Sequence, residues 1–85
     1  MRIGKIVTWN LQTIPRSPGC WYDHISNNHK SVPLKIESYH GNSINVFNLF
    51  TIQNDPVNSE FGFHCVYLTL VSVKDAAKFR LKNNV

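Results

Sequence analysis

Three observations predict a mainly β protein: a small antiparallel sheet or sandwich-like domain of four to five strands, ending in a short C-terminal helix or a basic strand. Apolar and polar residues alternate with a period of two over residues 5–13 and 32–39, as half-buried strands require. Residues 61–73 form the most apolar run of the chain and hold no charge. Pro, Gly, Asn and Ser gather between the runs, where their backbone preferences favour turns and loops.

The elements follow in order. Val7, Trp9 and Leu11 fall on one side of the first run and Thr8, Asn10 and Gln12 on the other, until Pro15, Pro18 and Gly19 stop it. Residues 15–31 show no sustained period and read as a long irregular loop, with room for one helical turn over 22–28. In the second strand Val32, Leu34 and Ile36 share a face, and Pro33 near its start suggests an edge position. His40-Gly41-Asn42-Ser43 supplies a hairpin turn into a third strand over 44–52. There Ile44, Val46, Phe50 and Ile52 share one face, and Phe47 and Leu49 the other.

Residues 53–60 make a second loop. The run 61–73 would span about 43 Å as one straight strand, longer than a body of this size. It must therefore bend, split, or reach a second subunit. Over 74–82 the signals divide: Ser72 followed by Asp75 fits a helix cap, while Ala77, Phe79 and Leu81 alternate with Lys78, Arg80 and Lys82 like a strand. A short helix is favoured. The expected core is Val7, Trp9, Leu11, Leu34, Ile36, Val46, Phe50, Ile52, Phe63, Cys65, Tyr67, Leu68 and Leu70.

Composition bounds the function. The 85 residues fit one domain over 1–85, and a chain of that size buries only about 60% of its unfolded surface. Charged residues reach 16%, below the usual ~25%. Asn, Gln, Ser and Thr take the vacated places, which excludes a charged disordered tail, a coiled coil and a collagen-like repeat. The net charge of +4 favours an anionic partner without demanding one. The chain has 2 cysteines, too few for a disulfide framework, and they can be free or joined. With no leader-like segment and no apolar stretch of membrane-spanning length, a soluble intracellular protein with no membrane partner is expected.

Four chemistries are open to these residues. Cys20-x3-His24-x4-His29 offers three metal ligands, with His64 or Cys65 as a fourth, but matches no common zinc spacing. A loop with two exposed histidines and a buried thiol accounts for it as well. A Cys–His pair, or two histidines and a lysine (His24 or His29, with His64 and Lys30) acting on a phosphodiester, would need folding to assemble it. The basic segment 74–85, with Lys74, Lys78, Arg80 and Lys82, suits phosphate, and Trp21 and Tyr22 are candidate stacking platforms for RNA or single-stranded DNA. An uncharged edge over 61–73 would suit pairing with a second chain through Phe61, Phe63, Tyr67, Leu68 and Leu70.

Two short stretches resemble known families. Ile6-Val7-Thr8-Trp9-Asn10 resembles the first strand of the metal-dependent endonuclease, exonuclease and phosphatase family, in which the Asn helps to organise the site. That family's next motif ends in a metal-binding Glu. The nearest counterpart here, Thr51-Ile52-Gln53-Asn54, ends in Asn, and the chain is far too short for the fold. Phe50-Thr51-Ile52 followed by Phe63-His64-Cys65 is similar to the end of an immunoglobulin-type domain, but Trp21 directly follows Cys20 and so departs from that pattern. Neither resemblance assigns a site. The expectation is a non-catalytic protein-interaction module without cofactor or metal, forming a homodimer or larger assembly through residues 61–73. The alternative is a small basic nucleic-acid binder.

Overall fold

The computed structural model describes residues 1–57 and 60–83, and the side chains of Arg80, Lys82 and Asn83 lie outside that description. Six antiparallel strands form one sheet: β1 (Ile6–Trp9), β2 (Leu34–Tyr39), β3 (Val46–Thr51), β4 (Pro56–Val57), β5 (Phe63–His64) and β6 (Leu68–Leu70). The order across the sheet is β4-β3-β2-β1-β6, and β5 lies beside β3 on the edge it shares with β4. The fold is therefore mainly β and antiparallel. A C-terminal helix is present as expected.

The sheet curls. From β5 to β6 there are four strand spacings, about 19 Å in a flat sheet. Yet the chain crosses from one to the other through the single 3-10 turn Cys65–Tyr67, and four residue steps reach only about 14 Å even when extended. Strand β3 must bend towards β1 for the connection to close. Backbone hydrogen bonds fix both ends of this strap: Cys65 N–H donates to Asn45 O at 2.8 Å, and Asn10 N–H to Tyr67 O at 2.8 Å. The enclosed face carries Val7, Trp9, Leu34, Ile36, Phe47, Leu49, Val57, Phe63 and Leu68, and the loop residues Ile14 and Ile25 join them.

The run 61–73 thus splits. The molecule is 35 Å in its longest dimension, so a straight strand of about 43 Å would have overshot it. Phe63 and Leu68 are core residues, Cys65 and Tyr67 pack half-buried against the core, and Leu70 is exposed at the β6 edge.

Strand β3 turns the face opposite to the expected one inward. Phe47, Leu49 and Thr51 are buried, while Val46, Phe50 and Ile52 are half-buried and Ile44 is exposed. A bulge in β2 is the cause. Near the turn Tyr39 pairs with Phe47 and Ser38 with Asn48, but beyond the bulge Ile36 pairs with Leu49 and Leu34 with Thr51. Glu37 is the extra residue. Were Glu37 to take its own place in the ladder opposite Leu49, the turn's register would carry on to place Ile36 opposite Phe50 and Leu34 opposite Ile52, because one residue of shift moves a strand's whole set of side chains to the other face.

Other boundaries also move. Strand β1 ends at Trp9, and Leu11 lies in a turn where Thr13 N–H and Ile14 N–H both reach Asn10 O. Leu11 is consequently exposed and outside the core. Strand β2 is central between β1 and β3, so Pro33 marks its start and not an edge: it precedes the ladder and withholds no strand hydrogen bond. The long loop holds a 3-10 turn, Trp21–His24, and one helical turn, α1 (Asn27–Lys30), capped by the Ser26 side chain. Helix α2 (Val73–Asn83) starts at Ser72, whose hydroxyl accepts from Asp75 N–H and whose carbonyl accepts from Ala76 N–H. Among the described residues no helix is long and apolar enough to cross a membrane.

Candidate functional site: the groove along loop 10–33

The 24 residues between β1 and β2 would be too polar to pack on the core without anchors. Four apolar side chains provide them. Ile14 and Ile25 are fully inserted, and Trp21 and Tyr22 lie half-buried against the same core. Trp9 is the centre of an aromatic cluster, with ring centroids 5.7 Å from Trp21, 5.7 Å from Tyr22 and 5.2 Å from Phe63. Trp21 also meets Tyr67 at 5.1 Å. Tilted and edge-to-face contacts of this kind suit the ring quadrupoles. The Trp9 indole N–H donates to His29 O at 3.3 Å, which ties α1 to β1.

Two clefts open on the outer side of this loop. One, of about 260 Å³, is lined by Thr8, Trp9, Leu11, Lys30, Val32, Pro33 and Phe79 of α2 among others. The second, of about 360 Å³, is lined by Leu11, Ile14, Pro15, Arg16, Tyr22 and Asp23. They share Leu11, whose side chain is 52% exposed between them. The two clefts meet at Leu11, and each has a cation in its lining, Lys30 in the first and Arg16 in the second.

Both cations are fixed. Lys30 Nζ lies 5.0 Å from the centre of the Tyr22 ring, within cation–π range. Arg16 donates to Leu11 O at 3.1 Å. Burial pushes the Tyr22 phenol above its ordinary value of 10.0, against the opposing influence of the Arg16 guanidinium nearby. Asp23, the acid lining the same cleft as Arg16, accepts from Gly19 N–H at 3.0 Å, and its one negative charge stands against the two positive charges of Arg16 and Lys30.

The structure distributes the residues singled out from sequence differently. Trp21 and Tyr22 are drawn into the aromatic cluster, and Lys30 covers the Tyr22 ring, so neither is an open stacking platform. Lys74 and Lys78 are exposed on α2, whereas the side chains of Arg80 and Lys82 lie outside the described residues. Of the strand residues proposed for pairing, Phe63 and Leu68 are buried in the chain's own core and Tyr67 packs on Trp21, leaving Phe61 and Leu70 exposed.

Cys20, His24 and His29 do not assemble. The Cys20 thiol donates to Pro15 O at 3.2 Å, and His24 stands exposed. Among the described residues no three His, Cys, Asp or Glu side chains converge as a metal site would need. Cys20 and Cys65 are both free thiols. Cys65 Sγ is 3.7 Å from His64 Nδ1, but that nitrogen also accepts from Val66 N–H at 3.2 Å and serves as the cap of the 3-10 turn.

Leu11, Arg16, Val32 and Pro33 were not recognisable as a group in the sequence. Their common feature is position around an irregular loop, and only the folded loop brings them together. Compared with protein-family models, with curated proteins and with solved structures, the chain matches none.

Proposed function

We propose that the protein is a non-catalytic interaction module that holds an extended, acidic and apolar segment of another protein in the groove along loop 10–33. The observation that carries this reading is Leu11, a large apolar side chain held 52% exposed at the junction of two clefts. Isolated exposed apolar residues are ordinary; one that joins two concave surfaces marks a contact site. Arg16 and Lys30 on the walls supply the charge that selects an acidic segment, and two clefts in line suit an extended chain better than a compact group.

Self-association through residues 61–73 loses the argument from excess length, because the run is divided and each half pairs within the chain. Nucleic-acid binding keeps Lys74 and Lys78 but lacks free aromatic faces at Trp21 and Tyr22. Selection of peptides from a random display library on the intact protein tests the reading. An enriched set with acidic residues flanking an apolar anchor is expected, and Leu11→Asp or Lys30→Glu should weaken its binding about tenfold or more. Absence of an enriched set, or enrichment indifferent to both substitutions, would overturn it. Binding of a mixed oligonucleotide that disappears steeply with salt would instead favour the nucleic-acid reading.

A further inference from the structure

A third cleft, of about 440 Å³, lies on the outer face of β2 and β3, lined by Glu37, Ser38, His40, Asn48, Phe50 and Pro56 among others. Its hydrogen bonds can be oriented by elimination. Asn48 Nδ2 lies 2.9 Å from Ser38 Oγ and 3.4 Å from the carbonyl oxygen of Tyr39. A carbonyl oxygen only accepts, so the amide NH2 must face it. Asn48 Oδ1 is then the atom 2.9 Å from His40 Nδ1. Because Oδ1 also only accepts, Nδ1 must carry the hydrogen, and in the neutral ring Nε2 presents a lone pair. Among the described residues that lone pair has no partner.

The base of the His40 side chain is held in place. The backbone N–H of His40 donates to Val46 O at 2.8 Å. Gly62 packs so closely that a Cβ there would stand 2.5 Å from His40 Cβ. The bulge at Glu37 turns Ser38 to the outer face beside Asn48. Since Ser38 Oγ accepts from Asn48, the hydroxyl hydrogen is available to donate. Asn48 separates that hydroxyl from the imidazole, so the two do not form a nucleophile and base. Phe50 and Pro56 add flat apolar walls. Glu37 at the rim is paired with Lys35 at 3.5 Å, which leaves little net charge to attract an ion.

We propose that this cleft is a binding subsite for a small, uncharged aromatic or heteroaromatic molecule bearing an N–H or O–H donor, with His40 Nε2 as the acceptor. A preformed acceptor, a donor beside it and apolar walls are what orient such a ligand in a cleft of this size. The site is separate from the groove along loop 10–33 and does not depend on it.

Two measurements on the wild-type protein test the assignment. Long-range nitrogen–proton correlation at mildly alkaline pH should show His40 with hydrogen on Nδ1 and an unprotonated Nε2. Titration with phenol, followed by backbone amide shifts, should move residues 37–40, 48 and 50 saturably, and anisole, which keeps the ring but not the donor, should bind at least about fivefold more weakly. His40→Ala should reduce phenol binding to the anisole level. The hydrogen on Nε2, equal binding of phenol and anisole, or shifts confined to another surface would each overturn the proposal.

Discussion

Tyr22 shows how one side chain joins the core to the groove. Its ring packs against Trp9 and Trp21, its face is covered by Lys30, and burial raises its phenol above 10.0 despite Arg16. A phenol that ionises later in the folded chain than in the unfolded one adds stability that is complete below about pH 10. That contribution disappears as pH rises through the higher folded value. Equilibrium denaturation of wild type and Tyr22→Phe should therefore differ little near neutrality, and wild type should lose stability relative to the variant above pH ~10. A pH-independent difference would show that the phenol is not buried as described. Gly62 makes a second test, because a methyl group there meets His40 Cβ at 2.5 Å and Val46 Cγ1 at 2.7 Å. The obstructing atoms lie near backbone, not at the ends of flexible chains. Gly62→Ala should cost about 1–3 kcal/mol in urea denaturation, and a neutral effect would contradict the packing of β5 on the hairpin.

Among the elements, the hairpin β2–β3 explains what the sequence disclosed and what it hid. Leu34 and Ile36 were legible as core, since alternation exposes a half-buried strand directly. Phe47 and Leu49 were not, because four apolar residues on the opposite face of residues 44–52 outnumber them. The decision rests on one extra residue in the partner strand, and a bulge at Glu37 has no local signature. Deleting Glu37 joins Ile36 directly to Ser38, so it should keep Ile36 opposite Leu49 and Leu34 opposite Thr51 and retain a cooperative thermal transition. Loss of the cooperative transition would refute the assignment of Glu37 as the extra residue. Helix α2 was half legible: the Ser72 cap competed with a strand-like alternation, and the cap prevails in the structure. Ser72→Ala should cost about 1 kcal/mol and reduce helical circular dichroism.

For the whole molecule, the curled sheet determines which surfaces remain for a partner. The split of residues 61–73 returns Phe63 and Leu68 to the chain's own core and closes the path from β5 to β6, so the most apolar run in the sequence is divided between the core and the surface, where Phe61, Val66, Leu70 and Val73 are exposed. The loop 10–33, which carries no periodic pattern, instead covers the aromatic cluster and leaves Leu11, Arg16 and Lys30 facing outward in a groove. Its length drew attention from sequence, but its floor is made with Phe79 of α2, from the far end of the chain, and no local spacing joins them. The proposed function makes this groove, and not residues 61–73, the surface that meets the partner. Backbone amide shift mapping with a peptide selected on the intact protein tests it most directly. Shifts concentrated at residues 8–16, 22–23, 30–33 and 79 are predicted, whereas shifts concentrated at 61–71, or absent from the groove, would show that the partner binds elsewhere.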